Sequence, residues 1–225
     1  MDFNEGEILL IDKPYKWTSF DAVKKIRGGL RIKKIGHAGT LDPLATGLLI
    51  MCTGKMTKKI DELQAKEKEY TGEFILGKTT PSIDIETPFD SEVSTDHLTE
   101  NTVKVALRNF LGTIEQTPPI YSAIKVDGER LYEKARKGEN AEIKSRKVFI
   151  KEFLLTEINI PSIKFKIVCS KGTYIRSIVR DFGELLKVGA YLNELRRTRI
   201  GDFSIKDAES PLEFVQRYRV EGGSK

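Results

Sequence analysis

Apolar residues along the chain fall into short blocks with two rhythms. Glu7 to Asp12 (EILLID) is a nearly unbroken apolar run closed by Lys13-Pro14, the pattern of a buried strand. Beyond Thr18, whose capping-box partner Asp21 stands three residues on, Phe20, Val23, Ile26 and Leu30 recur at helical spacing. Gly28-Gly29 weakens the far end of that helix. Residues 47 to 54 (GLLIMCTG) read as a second buried strand. A short helix is expected over 55–63, a strand over 69–76, and a helix opening at Thr95-Asp96 with Leu98, Val103, Ala106, Leu107 and Phe110 on its apolar face. After the Pro118-Pro119 turn the pattern predicts a strand over 121–126, a helix over 130–137, and strands over 148–158 and 163–170. A helix follows over 174–187, with Ile175, Ile178, Val179, Phe182 and Leu185-Leu186 on one side. Strands and helices mixed without strict βαβ alternation predict an α+β fold with a mixed, mainly antiparallel central sheet flanked by helices and loops.

Two stretches have no rhythm. Arg31 to Thr46 holds Gly36, His37, Gly39, Asp42 and Pro43, with Gly47 next, and reads as a tightly turned loop between a helix and a strand. Such loops on a rigid scaffold are where catalytic groups tend to sit. Asn140 to Lys147 has only Ala141 and Ile143 as apolar residues, so the segment 127–147 is expected to be a flap rather than core.

Composition narrows the picture. With 225 residues and 39% hydrophobic content, a folded core is expected. No apolar run reaches the roughly 20 residues of a membrane helix, and the first residues lack a signal-peptide pattern. Cys52 and Cys169 sit in apolar runs and read as buried, reduced thiols. They and His37 and His97 are scattered, so no metal site is expected. Net charge is +5 and unevenly spread: residues 81–115 carry two bases against seven acids. The bases come in three groups: Lys24, Lys25, Arg27, Arg31, Lys33 and Lys34; Lys134, Arg136, Lys137, Lys144, Arg146 and Lys147; and Arg196, Arg197 and Arg199. Groups of this kind beside glycine-containing loops are candidates for phosphate contact.

Asp42-Pro43 is a common turn-forming pair, and a structural turn is the bland reading. Against it, Asp42 lies between Leu41 and Leu44, glycines at 36, 39 and 47 permit close backbone approach, and His37 shares the loop. The stretch Gly36-His37-Ala38-Gly39-Thr40-Leu41-Asp42-Pro43-Leu44-Ala45-Thr46-Gly47 resembles the catalytic motif of the TruB family of tRNA pseudouridine synthases. Further segments are similar to family motifs in the same order: Leu10 to Pro14 with Thr18-Ser19, Lys68-Glu69-Tyr70, Tyr121 to Lys125 with Leu131-Tyr132-Glu133, Cys169 to Arg176, and Leu195-Arg196-Arg197. The resemblance runs from about Gly6 to Gly201 and implies the pseudouridine synthase fold.

It also implies an activity: isomerisation of uridine-55 in the T-loop of tRNA to pseudouridine, with the base flipped out of the folded RNA and no cofactor. Asp42 would be the catalytic carboxylate, Arg176 the cation that keeps it charged, and Tyr70 the ring that stacks on the base and assists. Tyr174 and Leu195 would complete the pocket, His37 would occupy or brace the gap the base leaves, and Lys13, Arg197 and the Lys33-Lys34 pair would serve substrate binding, the last three at phosphates. The implied organisation is a catalytic domain over 6–205, with a short helix and tail over 206–225 in place of the further RNA-binding domain of PUA type that many relatives carry. A cytoplasmic monomer whose partner is tRNA, with no membrane and no obligate protein partner, is expected. Lys16 departs from the family, which often has glycine there. Two rival readings are a synthase guided by RNA or acting on ribosomal RNA, and an idle RNA-binding or tRNA-folding module. The first usually needs the additional domain; the second predicts a damaged pocket, whereas Asp42, Tyr70 and Arg176 are all present.

Overall fold

The computed structural model describes residues 2–122, 125–126, 128–137 and 143–220. In chain order its main elements are β1 (Ile8–Lys13), α1 (Ser19–Gly29), β2 (Ile35–His37), β3 (Thr46–Thr53), α2 (Ile60–Ala65), β4 (Lys68–Leu76) and α3 (Glu100–Leu107). Then follow β5 (Gly112–Gln116), α4 (Leu131–Arg136), β6 (Arg146–Asn159), β7 (Ser162–Cys169), α5 (Ile175–Leu185), β8 (Ala190–Ile200) and α6 (Pro211–Val220). They fall into two compact units. One runs to Thr71 and resumes at Leu195; the other is Gly72–Glu194. Strand pairing in both is mainly antiparallel, as the α+β reading expects.

In the first unit β3 is an inner strand. It pairs antiparallel with β1, setting Lys13 opposite Gly47, and antiparallel with β2, setting His37 opposite Met51. It pairs in parallel with β8, with Arg196 opposite Thr46 and Arg197 opposite Gly47. Successive residues of a strand face opposite ways, and here both faces are covered. Leu48, Ile50 and Cys52 join Ala38, Leu63 and Ile200. Leu49 and Met51 join Ala22, Val23 and Ile26 of α1 and Phe214 and Val215 of α6. That double burial explains why residues 47 to 54 read as an unbroken apolar run. The Thr18–Asp21 capping box opens α1 as the sequence predicts. At its other end Gly29 has a packing duty: a Cβ there would lie 2.5 Å from Cγ1 of Val215, so only glycine lets α6 come this close.

In the second unit β6 and β7 form a long antiparallel pair with two register shifts, and β5 pairs along the other edge of β6. Gln116 thereby stands opposite Arg146. Phe74, Phe110, Phe153, Phe165 and Phe182 form an aromatic core with ring centroids 5.2–6.4 Å apart. The apolar side of α5 (Ile175, Ile178, Val179 and Phe182) is buried. Each such burial stabilises by about 1.5–3 kcal/mol.

Several expected elements moved. The helix awaited at Thr95 begins at Glu100, because Thr99 and Thr102 form a capping box of their own. Residues 54–59 form a 3₁₀ turn before α2. Of the strand expected over 121–126, Lys125–Val126 is a strand paired with Glu129–Arg130, residues 121 and 122 form a bend, and 123 and 124 lie outside the described residues. The expected 127–147 flap is described only in part: residue 127 and residues 138–142 lie outside the described set. Cys52 and Cys169 are buried and form no disulfide, as expected.

Candidate active site

The loop that carries Asp42 leaves β2 at His37 and re-enters β3 at Thr46. Within it Ala45 N–H donates to the Asp42 carbonyl at 3.1 Å, which is the tight turn that Asp-Pro encodes. Three buried side chains hold this backbone. The Ser19 hydroxyl, at the first position of α1, accepts from Leu41 N–H at 2.9 Å and donates to Leu41 C=O at 3.1 Å. The Lys13 ammonium donates to the carbonyls of Trp17 at 2.6 Å, Pro14 at 3.0 Å and Pro43 at 3.3 Å. The Arg197 guanidinium donates to Leu48 at 2.7 Å, Gly39 at 3.2 Å and Thr40 at 3.4 Å. Asp42 is thus gripped on both sides, through Leu41 and Pro43, while its own side chain is only half-buried. Gly47 makes the Arg197 contact possible. It has φ +105°, and a Cβ there would lie 2.3 Å from the Arg197 carbonyl oxygen.

Lys13 is 0% exposed and Arg197 1%, so neither offers its charge to a ligand at the surface. The expectation that Arg197 meets phosphate is therefore corrected, and Lys13 likewise faces inward: both spend their donors on carbonyls, which is what makes a buried cation tolerable. The rest of that basic group is neutralised as well. Arg196 makes a two-pronged pair with Asp12 at 2.6 and 3.1 Å, and Arg199 lies 2.9 Å from Glu67 and 3.7 Å from Glu69. Burial pulls the Lys13 pKa down to about 8, helped by the positive charge of Arg197 and opposed by Asp42, Asp21 and Asp12. Asp42 is thus electrically coupled to the ammonium under its own loop. His37 is also lowered, first by burial and then by Arg197, while the Gly39 backbone works the other way. That backbone approach forms no hydrogen bond to the buried Nδ1, which has no partner among the described residues. Tyr70, on β4, is 8% exposed. Leu195, on β8, is half-buried and shares a strand face with Arg197, two residues on.

The second unit holds Arg176 and Tyr174 at the start of α5. Arg176 is 4% exposed; it donates to the Tyr121 carbonyl at 2.8 Å and the Ser82 carbonyl at 3.1 Å, and its Nε lies 3.8 Å from Oδ2 of buried Asp84. Asp84 is fixed in turn: its carbonyl accepts from the hydroxyls of Thr80 at 2.6 Å and Ser82 at 3.2 Å, and its carboxylate accepts from Glu86 N–H at 2.9 Å. Tyr174 is clamped by Gln116, whose amide accepts from Tyr174 N–H at 2.8 Å and donates to Tyr174 C=O at 3.0 Å. Arg146 lies 4.8 Å over the Tyr174 ring and donates to the Gly172 carbonyl.

Asp84 and Gln116 escape a reading of the sequence. Asp84 is one of seven acids in a stretch that looks solvated, and the one cue is its setting among the hydroxyl residues Thr80, Ser82 and Thr87. The first unit thus offers a half-buried carboxylate on an immobilised loop and a buried tyrosine, and the second a tyrosine and a buried, pre-oriented guanidinium. Among the described residues no cluster of three or more His, Cys, Asp or Glu side chains could hold a metal, and no helix is long and apolar enough to cross a membrane.

Comparison with known proteins gives one answer along the whole chain. A family model described as "TruB family pseudouridylate synthase (N terminal domain)" matches residues 27–175, and one described as "tRNA pseudouridylate synthase B C-terminal domain" matches residues 176–221. A tRNA pseudouridine synthase B of Flavobacterium johnsoniae is 57% identical over 214 residues, covering 92% of this chain and 93% of that protein. Another, of Phocaeicola vulgatus, is 51% identical and covers 98% of each chain. Among solved structures, one titled "Crystal Structure of a Cbf5-Nop10-Gar1 Complex" matches with a TM-score of 0.76 at 28% identity, over 99% of this chain and 58% of that one.

Proposed function

The chain belongs to the TruB family of pseudouridylate synthases, and we propose that it isomerises uridine-55 of the tRNA T-loop to pseudouridine, with Asp42 as the reacting carboxylate. The reaction breaks the C1′–N1 bond, rotates the base and forms C1′–C5; N1 gains a proton and C5 loses one. The target uridine must first leave its stack, which costs a few kcal/mol that the pocket has to offset. Asp42 attacks the ribose or the base, or stabilises the developing positive sugar. Arg176 supplies the positive charge of the reaction. Tyr70 stacks on the extruded base, Tyr174 and Leu195 close the pocket, and His37 fills the gap the base leaves in the RNA. Lys13 and Arg197 act through the backbone they hold, as positioning residues. No cofactor is required by this chemistry, and the partner is the T-arm of tRNA in the cytoplasm.

The observation that carries the reading is the Asp42 loop: a carboxylate left half-exposed while the residues on either side of it are tied to buried side chains. Preorganisation of this kind is what a reaction built on positioning needs. Guide-directed modification is less well supported, because relatives matching this chain over nearly its whole length are named tRNA pseudouridine synthase B. Incubation with a T-arm stem-loop tritiated at uridine C5 tests the proposal. Stoichiometric release of label is expected from the native chain, and a chain that releases none would overturn it.

A further inference from the structure

Of the three basic groups in the sequence, the one around Arg196 is neutralised internally, and the Lys134–Lys147 group is partly so, with Lys137 3.4 Å from Glu129. The first group is different. Its Lys24 and Lys25, and the neighbouring Lys16 outside it, are exposed, and among the described residues none of the three makes an ion pair. They line a groove of about 600 Å³ along α1, with the indole of Trp17 as part of its wall. Phe20, 69% exposed, stands one helical turn before Lys24 and so on the same face. Asp21 is the groove's acid, and its carboxylate already accepts from the backbone and hydroxyl of Thr18. Lys16 adopts φ +65°, a left-handed conformation that glycine takes freely and lysine rarely. A long cation is thus kept at a position whose backbone favours no side chain, and such an outlier points to a use.

We infer that this groove is a second RNA-binding track, taking the phosphate backbone of the strand that leads away from the flipped uridine. Its place supports that occupant. The Trp17 and Pro43 carbonyls bind the same Lys13 ammonium, so the groove begins beside the Asp42 loop. Lysines outside salt bridges, with the half-buried Trp17 among them and the exposed Phe20 beside them, suit a groove that follows a nucleic-acid backbone and stacks bases without reading them.

The inference rests on the proposed activity, and the test separates the two. A fluorescent T-arm stem-loop is titrated at several salt concentrations, and label release is measured in single turnover at saturating RNA. Lys24→Gln/Lys25→Gln keeps helix propensity and should raise Kd about tenfold while lowering the slope of log affinity against log salt by about two units. Lys16→Gly, which also relaxes the backbone, should lower the slope by about one unit. Saturated single-turnover rates should stay at the native level in both variants. Bound RNA should also shield Trp17, the chain's single tryptophan, from acrylamide quenching. Unchanged Kd and slope in the lysine variants would overturn the track, as would an equal loss in the charge-matched control Lys58→Gln/Lys59→Gln. If the native chain modifies RNA while the groove variants bind normally, only the groove fails; if it releases no label at all, the proposed activity fails.

Discussion

Around Asp42, buried side chains hold a stretch of backbone: Ser19, Lys13 and Arg197 direct their polar atoms at the carbonyls and one amide of residues 39–48. Around Arg176, backbone holds a buried side chain: the carbonyls of Ser82 and Tyr121 and the carboxylate of Asp84 surround a guanidinium. In the first region charge serves geometry; in the second geometry serves charge. Both set a buried cation against backbone carbonyls, the condition under which burial is affordable. They differ in what a substitution should damage. Loss of a cation under the loop should displace the acid, whereas loss of a partner around Arg176 should alter the electrostatics and leave the backbone in place.

The sharpest break of that comparison is at the acid itself. Asp42→Asn keeps the shape and removes the charge, so single-turnover label release should fall by roughly a thousandfold or more while T-arm affinity stays within about twofold. Appreciable turnover by the asparagine variant would remove Asp42 from its role. Next, Arg176→Lys should cost about a hundredfold in the chemical step, because an ammonium lacks the planar fork that meets two carbonyls and a carboxylate; a lysine variant as fast as the native chain would show that the position only has to be basic. Arg197→Met should be felt first in stability. It strands the carbonyls of Gly39, Thr40 and Leu48, and denaturant titration should give a loss of about 3 kcal/mol. A smaller effect is expected at Asp84→Asn, about tenfold on the chemical step with melting temperature nearly unchanged. The mildest effect lies at Lys13. Its folded pKa of about 8 sits below the ordinary value of 10.5, so between those pH values the unfolded chain binds more protons and stability should rise with pH. Below pH 8 the burial penalty is present in full. Stability curves for the native chain and Lys13→Met should therefore diverge across pH 8 to 10.5 and run parallel below it.

What the sequence discloses, and what it hides, follows the same division. The Thr18–Asp21 cap, the apolar stripe of α1 and the unbroken run of β3 are local signals, and each produced the element it predicts. The Asp42 turn was legible for the same reason. The direction in which Lys13 and Arg197 point was not. Arg197 reads as a phosphate contact and Lys13 as a substrate-binding residue, because the carbonyls that satisfy them belong to a loop that periodicity cannot place. β8 was missed altogether: Asn193, Glu194, Arg196, Arg197, Thr198 and Arg199 look like a solvated stretch, and their partners Asp12, Glu67 and Glu69 lie more than a hundred residues away in the chain. Polar residues paired over such distances carry no local signature.

The crossing of β3 and β8 at Gly47 and Arg197 also fixes an order of events. The loop bearing Asp42 leaves the ribosome well before one of its three anchors, which is encoded some 150 residues later. Until Arg197 has been translated and has threaded its guanidinium under Gly39 and Thr40, the nascent chain holds its acid on a slack loop. Contacts so distant in sequence form late. A growing chain surrounded by tRNA thus acquires its chemistry only after Arg197 has been made.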